Sequence, residues 1–198
     1  RNVLWNTYDD TNYYGNSSFD RKHVLNIYYI YDLPFFREKD SLTAKMLGGW
    51  QVSGATFFRT GTPFSVTRTN DIAGVGEGSN GQPVDLVGDI NANANQQFSA
   101  GNGNDQNFWF NPAAFATPPA FTYGDAGRNS VYGPPMQTMD IALQRAFRLT
   151  ERLNFAIRGE AFNALNKVNL GTPNRFVNTP QFGTITMAMT PGREIAAG

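Results

Sequence analysis

The sequence has no cysteine, which excludes disulfide staples, thiolate metal sites and cysteine nucleophiles together. It has one histidine, His23, so any Ser/His/Asp relay would have to be built on that single imidazole. Charge is also scarce. Asp, Glu, Lys and Arg make up 16% of the 198 residues, where about 25% is usual for a soluble domain. The charges balance, 16 basic against 16 acidic. The basic excess of a nucleic-acid binder is therefore missing, and no nucleic-acid partner is expected. No apolar run reaches about 18 residues, so no transmembrane helix is expected. Membrane strands escape that test, since each needs only about 9–11 residues with every second one apolar.

What the sequence does have is alternation, clearest from Gln137 to Leu170. Read as a strand, the first half puts Met139, Ile141, Leu143, Phe147 and Leu149 on one face, with Arg145 the one break in the row. Asp140, Ala142, Gln144, Ala146 and Arg148 fall on the other face. After a polar break at Leu149 to Arg152, the pattern repeats. Leu153, Phe155, Ile157, Gly159 and Ala161 then oppose Asn154, Ala156, Arg158 and Glu160. Two such runs joined by a short polar link predict a β-hairpin. A helix over the second run would leave Phe155 and Phe162 off its apolar stripe and carry Gly159 inside, at a cost of about 1 kcal/mol. The alternation suits a soluble sheet with one face on a core. It suits equally a membrane barrel wall, where lipid replaces the core and the lumen is wet.

Elsewhere the same period recurs. Arg21 to Leu33 is β-branched and aromatic, with Leu25, Ile27, Tyr29 and Tyr31 opposite Asn26, Tyr28, Ile30 and Asp32, and Pro34 ends it. The segment Pro34 to Gly49 is expected to be a turn or a short helix. A third run starts at Trp50 and is expected to reach about Val66. Thr67 to Pro135 is rich in Gly, Asn, Asp and Pro and has no sustained period. A long irregular connection sits badly in a compact soluble domain, whereas barrels in the outer membrane have long outer loops and short inner turns. A last strand is expected over Thr184 to Ala197, interrupted at Pro191-Gly192, and a strand end over Asn2 to Tyr8. Trp50, Phe147, Tyr31, Phe35 and Phe36 fall at strand ends on the short-turn side, where an aromatic girdle would lie. The chain opens on Arg1 and stops at Gly198 in what reads as mid-strand, so it is expected to be a segment of a longer protein.

Chemical motifs are weak. Gly76-Glu77-Gly78-Ser79-Asn80-Gly81 has the G-x-G-x-x-G spacing, but Gln82-Pro83 follows it where a phosphate-binding turn would open a helix. Asn102, Asn104 and Asp105 offer oxygens suited to calcium but lack the closing Glu of a calcium loop. His23 has no surrounding motif. No catalytic residue, cofactor site or metal site is expected, and the chain is expected not to be an enzyme. Trp109, Phe110, Phe115, Tyr123 and Arg128 are candidate ligand contacts, because aromatic faces suit sugars and peptides. The alternative is that these aromatics pack the long loop onto itself. Asp140, Gln144, Arg148, Arg158 and Glu160 are the candidate lumen-facing row.

Five strings together carry a resemblance: FDRKHVLNIYYIYDLPFF (19–36), LGGWQVSGATFFRTGTPFSV (47–66), WFNPAAFATP (109–118), YGDAGRNSVYGP (123–134) and LTERLNFAIRGEAFNALNKVNLGTP (149–173). In this order they resemble the C-terminal barrel part of Oar-like TonB-dependent outer-membrane receptors, proteins with a carboxypeptidase-regulatory-like domain, a plug and a barrel. The resemblance implies an all-β fold, with antiparallel strands forming part of a large transmembrane barrel of about 22 strands. Residues 1–198 would belong to its C-terminal part, and about 67–135 would form an extracellular loop. It further implies energised passage of a large or scarce ligand across the bacterial outer membrane. The implied partners are outer-membrane lipid, an unidentified ligand, and the TonB-ExbB-ExbD complex acting through a plug and TonB box outside these residues. The competing expectations are a soluble β-sandwich module that binds glycans or peptides, and a hydrolase built on His23.

Overall fold

The structure is a computed structural model that describes residues 10–35, 48–76, 81–97, 107–148 and 150–198. Its strands are β1 (Val24–Asp32), β2 (Trp50–Arg59), β3 (Pro63–Phe64), β4 (Thr67–Arg68), β5 (Gln82–Pro83), β6 (Asp85–Leu86), β7 (Phe115–Ala116), β8 (Val131–Tyr132), β9 (Met136–Arg148), β10 (Asn154–Phe162) and β11 (Glu194–Ala197). The chain divides into two compact units. One comprises Arg1–Lys22, Thr60–Pro135 and Leu170–Met189; the other comprises His23–Arg59, Met136–Asn169 and Thr190–Gly198.

The second unit is an antiparallel sheet in the order β1-β2-β9-β10-β11. Its register follows from the alternation, because a slip of one residue would turn every apolar side chain to the wrong face. Tyr31, Val52, Leu143 and Gly159 align in one row, and Tyr29, Gly54, Ile141, Ala161 and Ile195 in the next. The apolar stripe of each strand thus becomes one continuous apolar face. The predicted hairpin is β9–β10, with Phe147 opposite Phe155. Thr150 closes its link, where Oγ1 accepts from the N–H of Arg152 at 3.3 Å and of Leu153 at 3.1 Å. Leu149 lies outside the described residues. Gly54 has to be glycine: a Cβ there would collide with the Asp140 carbonyl oxygen and with the hydroxyl of Tyr29, whose ring lies across it.

The first unit differs from expectation. The third run does not continue to Val66: β2 stops at Arg59, and Pro63–Phe64 pairs instead with Val131–Tyr132. At Gly61 the backbone comes so close to the Gly133 carbonyl that no Cβ would fit. The described residues between Thr67 and Pro135 are not a structureless loop. They hold the ladders β4·β5 and β6·β7 and close with Leu170–Met189 around a core of Phe64, Val66, Val84, Phe110, Phe182 and Ile185, among others. These ladders are two residues long, too short to leave a period in the sequence. The expected last strand also divides. Only Glu194–Ala197 joins the large sheet, while Thr184 bridges Phe108 and Ala188 bridges Leu170 in the first unit. The strand end at Asn2 to Tyr8, residue Phe36 and most of the Pro34 to Gly49 connection lie outside the described residues.

Candidate functional site

The polar face of the large sheet carries a hydrogen-bonded relay across four strands. Gln51 Nε2 donates to Asp32 Oδ1 at 2.8 Å, and Gln144 Nε2 donates to Gln51 Oε1 at 2.6 Å. Arg158 then donates from one terminal nitrogen to Gln144 Oε1 at 3.3 Å and from Nε to Glu160 Oε1 at 2.5 Å. The register makes this possible by aligning Asp32, Gln51, Gln144 and Arg158 in one cross-strand row. An amide can donate to one neighbour while accepting from the next, so a row of Gln between Asp and Arg passes hydrogen bonds along without adding charge.

All five residues of the expected polar row share this face, but they are not one cluster. Gln144, Arg158 and Glu160 meet. Asp140 lies two rows away, where its Oδ1 accepts the Asn163 N–H at 2.9 Å, and Arg148 stands exposed at the end of β9 opposite Asn154. Asp32 and Gln51 were not singled out from the sequence. Each looks like an ordinary polar position until the register sets it beside Gln144. A pocket of about 630 Å³ opens on the same face, lined among others by Tyr28, Ile30, Ser53, Asp140, Glu160 and Phe162.

The opposite face is apolar, and several of its large side chains are exposed. Leu143 and Ile157 are each 40% exposed and Phe155 52%. Arg145, the break in the row, lies between Trp50 and Ile157 in register and is buried. Its guanidinium stands 4.1 Å from the ring centre of Phe147 and 5.9 Å from that of Trp50. Stacking on aromatic faces is one way a cation is tolerated on an apolar surface.

The candidate ligand contacts are scattered. Phe110 is 1% exposed and meets Phe182, Phe115 and Phe64 at ring-centre distances of 5.2, 5.6 and 5.9 Å. Phe115 and Trp109 are buried in the same core, and Trp109 Nε1–H donates to the Tyr132 carbonyl at 2.7 Å. Tyr123 and Arg128 are half-buried. Trp109, Phe110 and Phe115 thus pack into one core with Phe182 and Ile185.

The first unit has one ordered polar device that no motif announced. The exposed Asp71 carboxylate accepts the N–H groups of Gly76 at 2.7 Å, Gly74 at 2.9 Å and Val75 at 3.2 Å, and also the amide of Gln82. Gln82 in turn accepts from Ile72 and Ala73 at 2.8 and 3.0 Å. The Gly76 N–H above all, then Gln82, Val75 and Gly74, hold the Asp71 carboxyl below its ordinary value of 3.8, while desolvation opposes them. The first glycine of the G-x-G-x-x-G string therefore serves a carboxylate of its own chain; Glu77 to Asn80 lie outside the described residues. So do Asn102, Asn104 and Asp105. Among the described residues no group of His, Cys, Asp or Glu is arranged to hold a metal ion. His23 is exposed just ahead of β1.

A polar relay on one face, exposed apolar side chains on the other, and strands joined alternately by short and long connections form the pattern of a membrane barrel wall. Comparison with protein families gives a match to the outer membrane beta barrel domain over residues 1–196. The chain belongs to that family. Its localisation is therefore the bacterial outer membrane, and its open sheet is a stretch of outer membrane barrel. No helix of the described residues is long and apolar enough to cross a membrane, which leaves crossing by strands untouched. Comparison with curated proteins and with solved structures gave no match.

Proposed function

We propose that this outer membrane barrel chain is wall and loop of a TonB-dependent receptor of the Oar-like kind, which passes a large or scarce ligand across the outer membrane. In this reading the Leu143 and Ile157 face meets lipid, and the Asp32 to Glu160 relay lines a wet lumen. The relay is the observation that carries the proposal. Hydrogen-bonding groups linked side by side across four strands would be wasted against hydrocarbon, and they are suited to a water-filled or plugged passage. The five strings quoted above support the finer assignment to TonB-dependent receptors. Energy would reach the barrel from the TonB-ExbB-ExbD complex through a plug contributed by other parts of the polypeptide. The chain's role would be containment and recognition, with no chemical step.

These 198 residues contain no cysteine, and any cysteine elsewhere in the polypeptide is first replaced by serine. Single Gln144→Cys and Leu143→Cys versions of the full-length polypeptide are labelled in cells with a water-soluble maleimide. Gln144→Cys is expected to react and Leu143→Cys to resist, with Gln144→Cys labelling changing when TonB is removed. Equal labelling of the two would overturn the orientation. Labelling of Gln144→Cys that is indifferent to TonB would overturn the energised part and leave the barrel in place.

A further inference from the structure

We infer that the pocket between Tyr28, Ile30, Asp140 and Phe162 binds an organic cation on an apolar body: a primary ammonium or guanidinium group carried by an aromatic or aliphatic frame. The inference rests on the reading that the polar face lines the passage, and it names the class of solute this stretch of wall holds.

Charge bookkeeping within the pocket points to the ligand's sign. Glu160 is balanced, since Arg158 lies at 2.5 Å and is itself fixed by Gln144. Asp140 is not balanced. Its Oδ1 is held by the Asn163 N–H, and among the described residues no cation stands within ion-pair distance of it. Ile30, Ala55 and Ala142 line the same pocket. Apolar neighbours lower the local dielectric and strengthen the pull of a lone carboxylate on a cation. An anion is less favoured, because the charge of Arg158 is already neutralised by Glu160.

The walls supply the rest. Tyr28 is held edge-on against Phe57, with ring centres 5.7 Å apart, and Phe162 forms part of the lining. Such rings favour a cation over their faces and an apolar frame against their sides. At about 630 Å³ the pocket falls within the range of about 300–1,000 Å³ typical of small-molecule sites. Asn163 acts as a positioning residue. It is buried with φ +48°, its side chain bonds Lys167 and Pro191, and its N–H fixes which carboxylate oxygen remains for a ligand.

The test uses the full-length polypeptide purified in detergent, with phenethylammonium and phenylacetate as probes of similar shape and opposite charge, read by calorimetric titration. Phenethylammonium is expected to bind and phenylacetate not to. Asp140→Asn keeps an acceptor for the Asn163 N–H and removes the charge, so it is expected to weaken the amine about tenfold or more. Glu160→Gln is expected to matter less. Equal binding of the two probes, an unchanged affinity in Asp140→Asn, or no saturable binding would overturn the inference; the last is the result if another segment of the polypeptide fills the pocket. Cysteine labelling separates the two failures. A labelled Gln144→Cys with no amine binding sinks the pocket alone, and amine binding with an unreactive Gln144→Cys sinks the passage reading.

Discussion

At Ile157 and Leu143 the two faces make opposite demands on a single side chain. Either residue changed to Arg is expected to block assembly in the membrane, at about 2–4 kcal/mol if the site lies near the midplane. Ala156→Arg, on the polar face and exposed, is expected to assemble; heat-modifiable mobility of the folded barrel on gels would compare the three. Ala142 would be a poor control, because at 7% exposure it is packed in the row between Ser53 and Glu160. Asp71 supports a prediction about pH. Its folded carboxyl titrates below 3.8, so the order it gives the 71–76 turn is fully present above that value and fades as pH falls through the lower folded value. Exchange of the Gly74 to Gly76 amides should therefore stay slow at pH 5 and be quicker there in Asp71→Ala, with the difference shrinking as pH falls below the folded value. The alternating residues were legible because each reports its own face. Arg145 was not, since the Trp50 ring that helps accommodate it is remote in sequence and reaches it only through the β2–β9 register.

Among the elements, long strands and short ones behaved differently under sequence reading. β9 and β10 span thirteen and nine residues, enough for the alternation to declare strand, face and partner, and β1 and β2 followed the same logic. The two-residue ladders of the loop unit carry no period, and their stability comes from a core assembled from single aromatics far apart in sequence. Phe110 is the centre of that core. Phe110→Ala is expected to destabilise the loop unit by about 3–5 kcal/mol. Hydrogen exchange should then quicken through β3, β6 and β7 while β9 and β10 keep their protection. Loss of protection everywhere at once would show that the two units do not fold as separate bodies. The polar row was half legible for a related reason. Gln144, Arg158 and Glu160 share a hairpin that the sequence displays, whereas Asp32 and Gln51 arrive from strands whose neighbours no local pattern names.

For the whole molecule, two tryptophans report on the two environments. Trp50 belongs to the apolar face and Trp109 to the loop core. In single-tryptophan versions of the full-length polypeptide, lipids brominated along their chains should quench Trp50 and leave Trp109 bright. Equal quenching would contradict the placement of the faces. The core of the loop unit also crosses the chain in a telling way. Phe64, Phe110 and Phe115 come before the β9–β10 hairpin and Phe182 and Ile185 after it, and the Trp109 N–H reaches over that interval to the Gly183 carbonyl. Neither connection is a module that could be transplanted alone. A chimaera that exchanged residues 60–135 between relatives would carry half an interior, and the two stretches would have to change in concert as the surface diversified.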